Sequence, residues 1–287
     1  MCVFPMSQLG VLFTEFARRW RESMAGLAQV EDYGTVDEGD RSYPLLTATV
    51  PGRRSVLITG GFHGDEKAGP LTLLQHAPEI VAYARARDIG LRIYPCINPS
   101  GFEAHTRYNL SGERPNNDFL EYEVEPGRWK GELRTGEAHL RWSPSRPVAK
   151  ETAALRQSLA RLPMPSASLD LHQDNFIHGA LCYFYVFGDR DAYRPLLARS
   201  GAKVPILRDT VVDSGHEPGT DVMADADGAI ECHDGSITDY YHREGVPYVA
   251  AVETTTETPA DTANQINLIW IYGFIDLVAA DRAGGRS

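Results

Sequence analysis

Six stretches of the chain are dense in apolar residues at strand length: 43–50 (YPLLTATV), 55–62 (SVLITGGF), 91–98 (LRIYPCIN), 166–172 (SASLDLH), 181–188 (LCYFYVFG) and 247–254 (PYVAAVET). Most run apolar without strict alternation, the pattern of strands covered on both faces. Between them the period changes. Leu9, Leu12, Phe13, Phe16 and Trp20 recur every three or four positions and predict an amphipathic helix within 7–29. Helical patterns also occupy 68–86, 147–162 (with Pro147 in its first turn) and the apolar stretch 264–280.

Strands alternating with helices predict a doubly wound α/β sheet with helices on both faces. Neither a repeat nor a low-complexity linker divides the chain, so 1–287 reads as one domain. Residues 1–40 supply an N-terminal helix and lead-in, and 258–287 a C-terminal helix and tail. Two segments, 109–146 and 208–235, are polar and rich in Gly and Pro, and read as ordered functional loops at one edge of the sheet. Ligands of open α/β sheets bind outside the carboxyl ends of the strands.

Composition narrows the function. Of 287 residues 43% are hydrophobic and 23% charged, an ordinary globular balance. The net charge of −11 repels phosphate backbones, which excludes nucleic acid as the expected partner. The N-terminus lacks a basic stretch before its apolar residues, and no segment reaches the ~20 apolar residues of a membrane span. Cys2, Cys96, Cys182 and Cys232 form no CxxC pair and read as free thiols, so the expected location is the cytoplasm.

The chemistry is carried by LITGGFHGDE at 57–66. His63 and Glu66 stand three apart, just past the end of a strand and among Gly60, Gly61 and Gly64. HxxE is a weak signal alone. His76 and Glu79 repeat it inside a helical pattern, where a solvated face explains them. Imidazole and carboxylate converging through one turn suit a first-row metal, zinc above all. A catalytic zinc site needs a third ligand and an open position, and His172 ends its strand as His63 does.

HGDE, NPSGFEAHTRYN, LDLH and DGSITDYYHREGVPYVAAVET together resemble the zinc metallocarboxypeptidases of the carboxypeptidase A/B superfamily, nearest its short bacterial members, over about 55–255. The resemblance implies one domain around a twisted, mixed, mainly parallel eight-stranded sheet. It implies one zinc per chain on His63, Glu66 and His172, Arg107 as the oxyanion donor and Glu253 as the general base. Glu257 competes with Glu253, but Glu253 ends the apolar run directly. The implied partner is a peptide, or an N-acyl amino acid if the chain is nearer the related succinylglutamate desuccinylases and aspartoacylases. A binding protein with a decayed site is the alternative of a different class, against which the full set of site residues argues.

The pattern departs from the family at RPNNDF, 114–119. Asn116 and Phe119 fit. Asn117 stands where an arginine would clamp a substrate carboxylate, and Arg114 where an aspartate would orient the first histidine. Asp118 or Asp170 are then candidate acceptors for the free N–H of His63. Arg114, Arg128 or Lys130 are candidate carboxylate anchors, with Arg114 moved into place by Pro115. The tyrosine usual before DGSITDY is missing, and Ile237 aligns with the floor of the specificity pocket, implying an uncharged side chain. Asp65, His178, His216 and His233 are further metal-binding types, but no spacing among them demands a second site.

Overall fold

The computed structural model describes residues 12–213 and 221–281. The strands, in chain order, are β1 (Gln29–Glu38), β2 (Arg41–Val50), β3 (Arg54–Gly60), β4 (Ile89–Tyr94), β5 (Leu120–Glu125), β6 (Arg128–Lys130), β7 (Arg141–Pro144), β8 (Ala167–Asp174), β9 (Cys182–Gly188), β10 (Thr210–Asp213), β11 (Val222–Ala224), β12 (Ala229–Ile230) and β13 (Tyr248–Thr255). The α-helices are α1 (Phe13–Met24), α2 (Ala68–Arg85), α3 (Pro99–Ala104), α4 (Lys150–Leu159), α5 (Arg194–Gly201), α6 (Ile237–Arg243) and α7 (Ala260–Ala280).

Eight strands form one mixed sheet in the order β1-β2-β4-β3-β8-β13-β9-β12. The pairs β4–β3, β3–β8, β8–β13 and β9–β12 are parallel, and β1–β2, β2–β4 and β13–β9 antiparallel. The centre, β3, β8 and β13, is therefore parallel and buried, which is why those segments read as continuous apolar runs. In β8 all eight residues are buried, so polar ones such as Asp170, His172 and Gln173 are drawn to partners inside.

Helices cover both faces. On one, α1, α2, α5 and α7 pack over the sheet in a cluster that includes Phe16, Trp20, Leu169, Phe184 and Trp270. Phe184 and Trp270 stack at 4.6 Å between centroids, worth about 0.5–1.5 kcal/mol beyond their burial. On the other face α4 and α6 enclose Leu57, Phe62, Phe119, Leu155, Ile237 and Val249.

The six apolar runs all become strands of the main sheet. The first helix spans Phe13–Met24, and Leu9 lies outside the described residues. Pro147 precedes α4 rather than opening it, since the helix begins at Lys150. The segment 109–146, expected as loop, contains the small antiparallel sheet β6-β5-β7. Its strands are short, alternate weakly and stand among turn residues, so the local pattern does not mark them. β1 falls within the stretch expected as lead-in; its sequence, QVEDYGTVDE, is polar and half exposed, as suits a sheet edge.

Candidate metal centre and active site

Strand β3 ends at Gly60, and the chain turns sharply before α2. Gly61 has φ +68°, and a Cβ there would meet Pro70 at 2.9 Å. A Cβ on Gly64 would lie 1.9 Å from the backbone of Gly101, so that turn lies directly against α3. The glycines thus seat a turn that places His63 and Glu66 over the carboxyl edge of the sheet. Glu66 lies two residues before α2, where the N-terminal partial charge of the helix favours a carboxylate.

His172 reaches the same point from β8. His63 Nδ1 lies 2.6 Å from Glu66 Oε1, and His172 Nδ1 2.8 Å from Glu66 Oε2. All three residues are 3% exposed. Their ligand atoms lie within 4.8 Å of one another, and among the described residues no other group of His, Cys, Asp and Glu converges so. Two imidazole nitrogens and a carboxylate turned inward on each other are a donor set for one cation. Without a cation their lone pairs would oppose one another unless protons intervened, so the residues fit a metal.

The two histidines differ behind the site. His172 Nε2 donates to Asp170 Oδ2 at 2.7 Å, and Thr59 donates to Asp170 Oδ1 at 2.8 Å. Burial disfavours a charged His172, but Asp170 and Glu66 outweigh it and raise its pKa well above the ordinary value. For His63 burial wins over Glu66 and lowers the pKa. Burial alone would raise Glu66, yet the two imidazoles hold it far below the usual carboxylate range. His63 Nε2 is buried with no partner among the described residues. Of the acceptors expected for it, Asp170 serves His172, and Asp118 accepts the N–H groups of Val148 and Ala149 at 2.8 and 3.2 Å.

Glu253 stands on β13 in register with His172 on β8, so both side chains leave the same face. One of its oxygens, Oε2, is buried without a partner among the described residues, and burial raises its carboxyl well above the usual range. Arg107 donates to Glu66 Oε1 at 2.8 Å, and its guanidinium lies 5.4 Å from the centre of the Phe176 ring. Glu257, the competing base, sits in an exposed turn and pairs with His178 at 3.0 Å. His76 and Glu79, the second HxxE pair, lie on the outer side of α2.

A cavity of about 410 Å³ opens beside the trio, lined by His63, His172, Glu253, Arg107, Arg114, Asn116, Asn117, Tyr185, Cys232 and Asp234 among others. A second, of about 330 Å³, flanks it and shares Arg107, Arg114, Tyr185 and Glu253. Asn117 Nδ2 donates to the Asp234 carbonyl and carboxylate, at 3.1 and 2.9 Å. Asn116 is 8% exposed, and its Oδ1 has no partner among the described residues.

The structure corrects three expectations on the substrate side. Ile237 opens α6 with its side chain fully buried in the second core cluster, while Ser236 and Thr238 on either side line the cavity. Lys130 pairs with Glu137 at 2.7 Å and Arg128 with Glu125 at 2.9 Å, and neither lines the cavity. Of the three candidate carboxylate anchors only Arg114 remains there. Of the residues named for a second metal, the three described ones have separate partners: Asp65 accepts from Asn175, His178 pairs with Glu257 and His233 with Asp239, while His216 lies outside the described residues. Tyr185, Cys232 and Asp234 were not anticipated in the cavity wall. Asp170 had a readable signal as the partner of His172, because residues two apart on a strand share a face.

The fold has close structural counterparts. A protein of Shewanella denitrificans provisionally described as a metallopeptidase superposes with a TM-score of 0.67 at 22% identity, over 93% of this chain and 90% of the other. A metallo-carboxypeptidase of Burkholderia cenocepacia matches with a TM-score of 0.59 at 13% identity, over 94% and 69% of the two chains. Bovine thrombin-activatable fibrinolysis inhibitor, solved with a tick carboxypeptidase inhibitor, gives 0.64 at 14%, over 96% and 98%. This chain has the metallocarboxypeptidase fold. The family model of the succinylglutamate desuccinylase/aspartoacylase catalytic domain matches residues 52–183, which carry His63, Glu66, Arg107 and His172. No curated protein sequence matches the chain. No helix among the described residues is long and apolar enough to cross a membrane.

Proposed function

We propose that the chain is a zinc-dependent hydrolase of an amide bond, a metallocarboxypeptidase that releases a C-terminal residue from a peptide in the cytoplasm. The observation that carries this reading is the convergence of His63, Glu66 and His172 beside Glu253 and Arg107, which line both adjoining cavities. One zinc held by His63, Glu66 and His172 would supply Lewis-acid polarisation of the scissile carbonyl and acidify a water.

The chain's own residues do the rest. Glu253 takes the proton of the attacking water and returns it to the leaving amine. Its Oε2 is buried with no partner among the described residues, which leaves it free to accept that proton. Arg107 cannot lose its charge, so it stabilises the oxyanion once it swings from Glu66 toward the substrate. Asp170 fixes the His172 ring and holds the proton on Nε2, so that Nδ1 faces inward. Arg114 is the anchor for a substrate carboxylate.

The family match over 52–183 favours a second reading, a deacylase of N-acyl amino acids using the same groups. A panel of C-terminal dipeptides and N-acyl amino acids, assayed with metal analysis on protein purified without chelator, separates the two. Release of the C-terminal residue from the dipeptides supports the first reading, and turnover of the acyl amino acids alone supports the second. Less than about half an equivalent of metal, with no turnover of either, overturns both in favour of a binding protein.

A further inference from the structure

The segment 105–118 carries Arg107, Arg114, Asn116 and Asn117, yet it belongs to no helix or strand. The N-terminus of α4 holds it. Asp118 accepts from the N–H groups of Val148 and Ala149, and Glu113 Oε2 from that of Lys150 at 3.3 Å. The Thr152 hydroxyl donates to the Pro115 carbonyl, immediately before Asn116.

At the centre of this junction is Glu151, whose side chain is fully buried. Its Oε2 accepts from Asn109 Nδ2 at 3.0 Å, and the same nitrogen donates to Glu113 Oε2 at 2.9 Å. Asn109 Oδ1 accepts the Glu113 N–H at 2.8 Å, which fixes the orientation of the amide. Two carboxyl groups therefore share one amide nitrogen, and Glu151 Oε1 has no partner among the described residues. If both were ionised they would repel across that nitrogen.

We propose that Glu151 is a positioning residue, which through Asn109 ties the substrate-facing loop to α4 while it keeps its proton. Its significance for catalysis rests on the hydrolase reading above. Burial, then Glu38 and Glu113, raise the Glu151 pKa to about 7. Glu38 on β1 is balanced by Lys150 at 2.8 Å. The other titratable groups facing Glu151 are Lys150 itself, Tyr33 on β1 and Cys96 after β4. Tyr33 and Cys96 are neutral near pH 7, so the junction changes charge there at Glu151.

The sign follows. Below about pH 7 Glu151 is neutral and the loop is held. Above it the buried charge opposes Glu113 and Glu38, and the loop loosens. For the metal-loaded wild type, KM should rise about fivefold between pH 6 and 8.5, the worth of one net hydrogen bond, with kcat following its own profile. Glu151→Gln mimics the protonated acid and should hold KM low and flat, whereas Glu151→Ala should raise it at every pH. A KM profile for Glu151→Gln that tracks the wild type overturns the proposal.

A second readout needs no substrate. Hydrogen exchange of the amides of 107–117, corrected for the intrinsic pH dependence, should show protection falling with pH in the wild type but not in Glu151→Gln. Protection independent of pH in the wild type overturns the proposal even if a variant fails to fold. Retained exchange behaviour with no turnover of any substrate supports loop positioning and counts only against hydrolysis.

Discussion

His172 and His63 present the same ring nitrogen to the same carboxylate, but only His172 is anchored from behind. Its support is sheet geometry. Thr59 on β3 and Asp170 on β8 are register partners, and Asp170 and His172 share a strand face, so one hydrogen-bonded line runs from β3 through β8 to the site. Phe62 lies parallel to the His172 ring, within 6° and 6.2 Å of it. His63 sits on a turn, placed by close backbone approach at Gly64 and by its bond to Glu66, with Nε2 unpartnered. A strand fixes a ligand by register, while a turn fixes it by excluded volume. The first arrangement carries a hydrogen-bonded chain outward and the second does not.

The largest expected effect tests whether the anchored histidine is a ligand at all. His172→Ala should leave less than about a tenth of an equivalent of zinc and abolish turnover. Full metal content in that variant, by mass spectrometry of the purified protein, would remove the trio as the site. Glu253→Gln comes next and separates holding the metal from using it. It should keep the zinc and lose about two or more decades of kcat. If Glu253→Gln remains active and Glu257→Gln does not, the base is reassigned to the exposed turn.

The asymmetry itself is tested more finely by Asp170→Asn. An amide can turn its oxygen to His172 Nε2 but carries no charge and competes for Thr59. Zinc affinity should fall about 10- to 100-fold, with the fold intact by circular dichroism. No change in affinity would show that packing against Phe62 suffices and that the two histidines are held equivalently.

The better-supported half of the site was also the more legible half. The buried strands β3, β8 and β13 announced themselves as apolar runs, and polar residues at their ends pointed to chemistry because a buried strand has no other use for them. The substrate wall was not legible in this way. Its residues come from irregular segments, where a shift of one position moves a side chain between core and cavity, as Ile237 shows against Ser236 and Thr238. Long cations such as Arg128 and Lys130 are drawn to nearby Glu125 and Glu137, and nothing in spacing alone says so. Tyr185 points into the cavity because β9 is antiparallel to β13, pairing it with Ala251, two residues from Glu253. That pairing depends on topology, which the local pattern does not carry.

The smallest expected effect concerns this wall. Arg114 lines both cavities but is exposed and lies beside Asp234, whose carboxyl is raised by burial and partly offset by Arg114. An exposed cation gains little from a substrate carboxylate, because water screens the pair; about 1 kcal/mol is the upper expectation. Arg114→Ala should therefore raise KM about fivefold for substrates bearing a terminal carboxylate and leave their amidated counterparts unchanged. An unchanged KM for both would show that Arg114 is not the anchor. The unpartnered Asn116 oxygen and the Asp234 carboxylate would then define a wall that selects hydrogen-bond donors instead.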